Sequence, residues 1–128
     1  MEYAISKTVS KTFKEAVESI IAALKKEGFG VISEIDLKEK FKEKLGIEFR
    51  QYTILGACNP ALAHQAIQQE AKIGVMLPCN VLVQETGNGQ VEISAINPLT
   101  SIGVTGNERL QSIATEVSGK LKAAVDRM

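Results

Sequence analysis

Two cysteines, Cys58 and Cys79, are the side chains best placed to do chemistry in this chain. They are its only cysteines, and each adjoins an asparagine and a proline, in Cys58-Asn59-Pro60 and Pro78-Cys79-Asn80. A thiolate can act as nucleophile, redox group or metal ligand, so three chemistries follow. In the first, Cys58, Asn59, Cys79 and Asn80 form the polar end of a groove that binds a small molecule. In the second, Cys58 is the catalytic nucleophile of a thiol-dependent redox protein, with Cys79 as its resolving partner. In the third, Cys58, Cys79 and His64 hold a metal ion. The redox reading lacks a C-x-x-C spacing and has no assured base. The metal reading supplies three donors where a structural zinc takes four, and His64 sits about 6 Å along its helix from Pro60. A half-buried or solvent-edge histidine is the plainer reading of His64. The binding groove is therefore preferred, with no metal and no cofactor called for.

The two thiols differ in setting. Asn59 is a good N-cap and Pro60 a good first helical residue, so Cys58 stands just before a helix N-terminus. Unpaired backbone N–H groups and the helix dipole favour negative charge there, which makes Cys58 the better candidate for a thiolate. Cys79 alternates with Val75, Leu77, Val81 and Val83 on one apolar strand face, where a cysteine packs as a small hydrophobe. Pro78 cannot donate to a sheet ladder, so it marks an edge or a bulge. A bulge there would turn Cys79 towards Cys58. Asn59 and Asn80 also have an ordinary use, as caps and turn partners.

Other chemistry has less to stand on. Residues 99–106, rich in Thr, Ser and Gly, end at a helix start where a phosphate could sit. They contain no lysine and read as an ordinary loop. A serine triad lacks a G-x-S-x-G string, and the chain has one histidine. Lysine plus arginine equals aspartate plus glutamate, 15 each, so no net charge draws the chain to nucleic acid or an anionic membrane. The same balance puts little repulsion between copies. No basic start precedes an apolar run, and no stretch nears the roughly 20 apolar residues of a membrane span. These features point to a cytoplasmic protein with reduced thiols. Its 128 residues suit one domain, 1–128, large enough to bury a core without a metal or disulfide staple.

The elements that must position the cysteines are legible as periodicities. Tyr3, Ile5 and Val9 share one face of a first strand. Ser10 or Thr12 then caps a helix carrying Phe13, Val17, Ile20, Ile21 and Leu24, which Gly28 ends. Phe29 to Ile35 reads as a second strand. Asp36 caps a short helix with Leu37, Phe41 and Leu45 on a body of charges, a solvated face, and Gly46 stops it. Glu48 to Ala57 reads as a third strand, apolar on both sides from Tyr52, as if helices cover one side and another subunit the other. The Pro60 helix buries Leu62, Ala63, Ala66 and Ile67. Val75 to Glu85 is a fourth strand, Gly87-Asn88-Gly89 a hairpin turn, and Val91 to Ile96 a fifth strand. Asn97-Pro98 breaks it. The last helix starts near Asn107, with Leu110, Ile113, Ala114, Val117, Leu121, Ala124 and Val125 on its face. The hairpin requires an antiparallel pair, and the long one-sided helices require a sheet to lie on. The architecture expected is α+β: a mainly antiparallel, curved sheet of about five strands with helices packed on one face, a two-layer sandwich.

Three blocks carry a family resemblance. Val31-Ile32-Ser33-Glu34-Ile35-Asp36-Leu37, Tyr52-Thr53-Ile54-Leu55-Gly56-Ala57-Cys58-Asn59-Pro60 and Leu77-Pro78-Cys79-Asn80-Val81 resemble the blocks of the bacterial and archaeal domain of unknown function 302 family. The resemblance covers essentially the whole chain, and the two cysteine-bearing strings are its most specific part. The family pattern has Asp-Pro after the fifth strand where this chain has Asn97-Pro98. The resemblance implies a small α+β domain, often a homodimer, with no assigned activity.

Overall fold

Strand alternation and helical stripes sort this chain into two layers. The computed structural model describes residues 1–128. Strands β1 (Ala4–Val9), β2 (Gly30–Asp36), β3 (Tyr52–Cys58), β4 (Cys79–Gly87) and β5 (Gln90–Ile96) make one sheet in the order β1-β5-β4-β3-β2, every pair antiparallel. Helices α1 (Phe13–Lys26), α2 (Leu37–Leu45), α3 (Pro60–Gln69), α4 (Pro98–Ser101) and α5 (Gln111–Asp126) complete the fold. The expected α+β sandwich of about five strands, with helices on one face, is what forms.

Helices α1 to α4 each begin where an N-cap side chain satisfies an orphan backbone donor, whereas α5 runs on from a 3-10 turn, Glu108–Leu110, that Asn107 caps. Thr12 caps α1: its hydroxyl accepts from Glu15 N at 3.1 Å and donates to the Glu15 carboxylate at 2.8 Å. The Thr12 hydroxyl's bond to it, and then the Thr12 backbone, hold the Glu15 carboxyl below the usual carboxylate range. Asp36 caps α2 through Glu39 N, and Gly46 ends it in the left-handed conformation at φ 67°. Gly87 leads into a two-residue turn in which Asn88 and Gly89 both take positive φ, as the twist of the β4–β5 hairpin requires.

The core lies on one side of the sheet. From β3, β4 and β5 it takes Leu55, Ala57, Cys79, Val81, Val83, Val91, Ile93 and Ala95, at alternate positions. From α1 it takes Ala16, Ile20, Ala23 and Leu24, and from α5 Ile113, Ala114, Val117, Leu121, Ala124 and Val125. Fully burying one such aliphatic side chain contributes about 1.5–3 kcal/mol, which is why the two long helices sit here. The intervening strand residues, Ile54, Leu82, Ser94 and Ser6, line the other face, which no helix's buried stripe covers.

Several expectations need correction. The third strand starts at Tyr52; Phe49 instead packs edge-on against Phe41 of α2, with ring centroids 5.1 Å apart, and α2 buries none of its residues. Residues Ala71–Met76 form a 3-10 helix, so the fourth strand begins at Cys79. Val75 is 85% exposed and shares no face with Cys79. Pro78 precedes the strand, where its missing N–H costs no ladder bond, and makes no bulge; the register shifts fall between Val31 and Ser33 and between Glu85 and Gly87. Ile67 is exposed, because α3 lays only Leu62 and Ala66 into the core. Residues 99–106 are helical turns, not an open loop: α4 and the 3-10 helix Ile102–Thr105 follow the Asn97 cap.

Candidate functional site

Cys58 ends β3, and the chain turns at once into α3. Asn59 makes that turn stable: its Oδ1 accepts from Leu62 N at 3.2 Å, and its backbone carbonyl from Ala63 N at 2.9 Å. Pro60 has no N–H to offer. The first turn of α3 therefore leaves only Ala61 N free. The anion-favouring helix start expected beside Cys58 is mostly spent on Asn59.

Cys79 opens β4 directly opposite Ala57, the residue before Cys58. The Leu77–Pro78 peptide that delivers it is cis. Both cysteines are free thiols, Cys58 half-buried and Cys79 buried at 8% exposure. Both line one cavity of about 40 Å³ between the end of the sheet, α3 and α5. Leu62, Ala63 and Ala66 of α3, Ile113 and Val117 of α5, Phe29, Ile102 and Leu77 supply an almost wholly apolar wall. Asn59 and Pro78 complete it. Its half-buried lining residues, Cys58, Asn59, Ala63, Leu77 and Pro78, form its mouth, and the rest of the wall is buried.

Burial pushes the Cys79 thiol up from 9.0 to about 11, and the neighbouring Cys58 adds to the shift. At pH 7 only about one Cys79 in ten thousand is then ionised. A resolving cysteine needs its thiolate, so Cys79 is poorly suited to that part.

The cavity joins Cys58, Asn59 and Cys79 but not the other two residues expected with them. Asn80 is exposed on the opposite face of the sheet, beside Ile54, Leu82 and Ile96. With no bulge at Pro78, strict alternation turns Asn80 away from Cys79. His64 is exposed on α3, off the Leu62 and Ala66 stripe that faces the cavity. No group of three or more His, Cys, Asp or Glu side chains could hold a metal ion, so Cys58, Cys79 and His64 do not make a metal centre.

Sequence reasoning missed two positioning glycines. A Cβ on Gly56 would lie 2.2 Å from Ser33 Oγ and 2.8 Å from Pro78 Cγ, so Gly56 lets Pro78 fold down against β3. Gly28, at φ 86°, ends α1 and would place a Cβ 3.0 Å from Asn59 Nδ2. The strings Leu-Gly-Ala-Cys-Asn-Pro and Leu-Pro-Cys-Asn hold Gly56 and Pro78, but nothing in their spacing shows that the two touch.

The family model of DUF302, a domain of unknown function, matches residues 5–128. The chain belongs to the DUF302 family. A crystal structure of an uncharacterized conserved DUF302 protein from Bacillus stearothermophilus is similar throughout. Its identity to this chain is 31% and its TM-score 0.92, covering 99% of this chain and 98% of that one. No curated protein matches the chain. DUF302 membership thus carries the fold and assigns no reaction. At Asn97-Pro98 the asparagine amide is used at both ends. Asn97 Oδ1 accepts from Leu99 N and Ser118 Oγ, while Nδ2 donates to Glu2 O at 3.0 Å, a bond an ionised aspartate could not make. No helix of the chain is long and apolar enough to cross a membrane.

Proposed function

We propose that this DUF302 protein is a small-ligand-binding module whose site is the cavity between Cys58 and Cys79. The observation that carries the reading is the convergence of the chain's only two thiols on one apolar cavity at the junction of sheet, α3 and α5. Its volume, about 40 Å³, exceeds the roughly 10–15 Å³ that one water requires, yet its walls offer water few partners. The ligand that suits it is neutral, apolar and only a few heavy atoms across, or the apolar end of a larger molecule entering beside Cys58. No charged side chain lines the site, and the sulfur atoms add polarizable contacts. Binding has more support than thiol redox chemistry, because burial keeps Cys79 protonated. Cys58 and Cys79 form no disulfide, and we place the protein in the cytoplasm, where unpaired thiols stay reduced.

Xenon tests this directly, since it enters dry apolar cavities. Titration of the full chain should give saturable amide NMR shifts at Ala57, Cys58, Leu62 and Cys79. Ala63→Leu, which fills the cavity from α3, should abolish them. Shifts that do not saturate, or that survive Ala63→Leu, would sink the reading.

A further inference from the structure

The cavity between the sheet, α3 and α5 offers a ligand two unlike regions. Its buried wall is apolar and includes Cys79, at 8% exposure, whose S–H meets no acceptor within the chain. Its mouth holds the reactive group. Cys58 stands there half-buried as a free thiol. Beside it, Asn59 spends Oδ1 on Leu62 N, while Nδ2 has no partner within the chain. The adjoining first turn of α3 leaves Ala61 N open as well.

These features narrow the chemistry of the ligand. A cavity of about 40 Å³, at roughly 10–15 Å³ for each water-sized atom, has room for about three heavy atoms. The part of the ligand inside is therefore an alkyl tail of about two or three carbons. The lining has no carboxylate, imidazole, ammonium or guanidinium group. A charged head would lose hydration at the mouth without gaining an ion partner, so the head is neutral. An ester or thioester would acylate Cys58, and no lining residue can serve as the base that frees the enzyme again. An aldehyde needs neither a leaving group nor a fixed base. Its carbon is electrophilic, and its oxygen accepts hydrogen bonds from the donors at the mouth.

We propose that the site captures aliphatic aldehydes of about three or four carbons, alkyl tail in the cavity and carbonyl carbon on Cys58 Sγ as a reversible thiohemiacetal. The inference rests on the binding-module reading and names its ligand class. In the step, an S–C bond forms, the π bond of C=O breaks, and the thiol proton ends on the oxygen as a new hydroxyl. Nothing leaves, no electrons are transferred and no co-reactant is consumed. The hydroxyl stays at the mouth, where Asn59 Nδ2 and water solvate it. Cys79 takes no part as a nucleophile, because burial keeps it protonated. The buried thiol therefore lines the tail pocket, and only the thiol at the mouth adds.

Carbon NMR of the full chain with propanal, isotope-labelled at its carbonyl carbon, tests the capture. A saturable O–CH–S signal should appear, with affinity at least about tenfold above that of free β-mercaptoethanol for propanal. Butanal should bind about fourfold tighter than propanal, for one more buried methylene. Hexanal, too long for the cavity, should bind at least about tenfold more weakly than butanal. Propanal should also slow alkylation of Cys58 in the wild-type chain, and dilution should restore it. Cys58→Ser should lose the signal and keep the saturable xenon shifts at Leu62 and Cys79. His64→Ala, on the exposed side of α3, should keep both. Xenon saturation without a Cys58 adduct overturns this inference and leaves the binding module standing. So does an adduct without the length preference, or one that persists in Cys58→Ser. Absence of both xenon binding and adduct overturns the two readings together.

Discussion

The two faces of the sheet are made by the same strands and obey opposite rules. Towards the helices, Val81, Val83, Ile93 and Leu55 are fully buried and make a packed core. Towards the outside, Leu82, Ser94 and Ile54 are half-buried with no helix above them. One step along β4 separates the regimes: Cys79 is buried beside the cavity, and Asn80 is exposed on the open face. The difference teaches that apolar alternation in a strand reports burial on two sides without saying what does the burying. On one side the burying is intramolecular and has been paid for by ordering α1 and α5. On the other no helix covers the strands.

The largest expected effect contrasts two isoleucines. Ile93 has no exposure and sits under the helices, so Ile93→Ala should cost about 2–5 kcal/mol at any protein concentration. Ile54→Ala removes the same atoms from the open face and should cost the isolated chain less than about 1 kcal/mol. Denaturant titrations at two protein concentrations check both. Equal, concentration-independent losses would make the two faces equivalent and break the comparison.

A second effect sharpens the covered side alone. The Cys79 thiol ionises near pH 11 in the folded chain and near its ordinary 9.0 once unfolded. The unfolded state therefore releases its proton first as pH rises. The contribution is fully present below about pH 9 and is lost towards pH 11, amounting to about 2 kcal/mol there at about 1.4 kcal/mol per pK unit. Cys79→Ala should show a constant offset instead, so the difference between the two stability curves isolates the thiol. A difference curve that stays flat from pH 8 to 11 would mean that Cys79 is wetter than the cavity implies.

How much of this was legible in the sequence follows from the range of each signal. Helical stripes are local, so the α5 face from Ile113 to Val125 was legible, and so were Ile20 and Leu24 of α1; Ala16 and Ala23, buried as deeply, went unread because a small side chain adds little to an apolar stripe. The hairpin was legible because Asn88-Gly89 permits positive φ at both turn positions. The apolar run before Pro78 was read as strand because Val75 and Leu77 fit a period of two, but two residues are too few to tell that period from the three-residue turn of the 3-10 helix that ends there. Cys58 and Cys79 were grouped on their matching tripeptides, and a bulge at Pro78 was the expected means of turning one to the other; their nearness comes instead from the register that sets Cys79 opposite Ala57. The cavity's walls come from Phe29, Ile102 and Val117, whose convergence depends on helix docking that no short window records. Asn80 was grouped with the thiols because the tripeptides look alike; alternation places it on the open face of the sheet, beside Ile54 and Leu82.

Gly56 is where the comparison is most exposed to failure, because it lies on the open face and is nonetheless buried. Its cover is Pro78, which also stands at the mouth of the cavity. One residue thus joins the two sides. Gly56→Ala puts a methyl 2.2 Å from Ser33 Oγ, which can rotate away, and 2.8 Å from Pro78 Cγ, which is held in a ring. Relief must come from moving Pro78, and Cys79 moves with it. Such overpacking should cost about 1–3 kcal/mol, and it should speed alkylation of Cys79 by opening the mouth. Gly30→Ala, one strand away on β2 and with nothing within 4 Å of its Cβ, should change stability by less than about 0.5 kcal/mol and leave the thiol as it was. If Gly56→Ala destabilises the chain without changing the Cys79 labelling rate, Pro78 yields towards the open face and the cavity is independent of it. If both change, the packing of Pro78 on Gly56 holds the thiol cavity closed, and the two faces are mechanically coupled through a single prolyl ring.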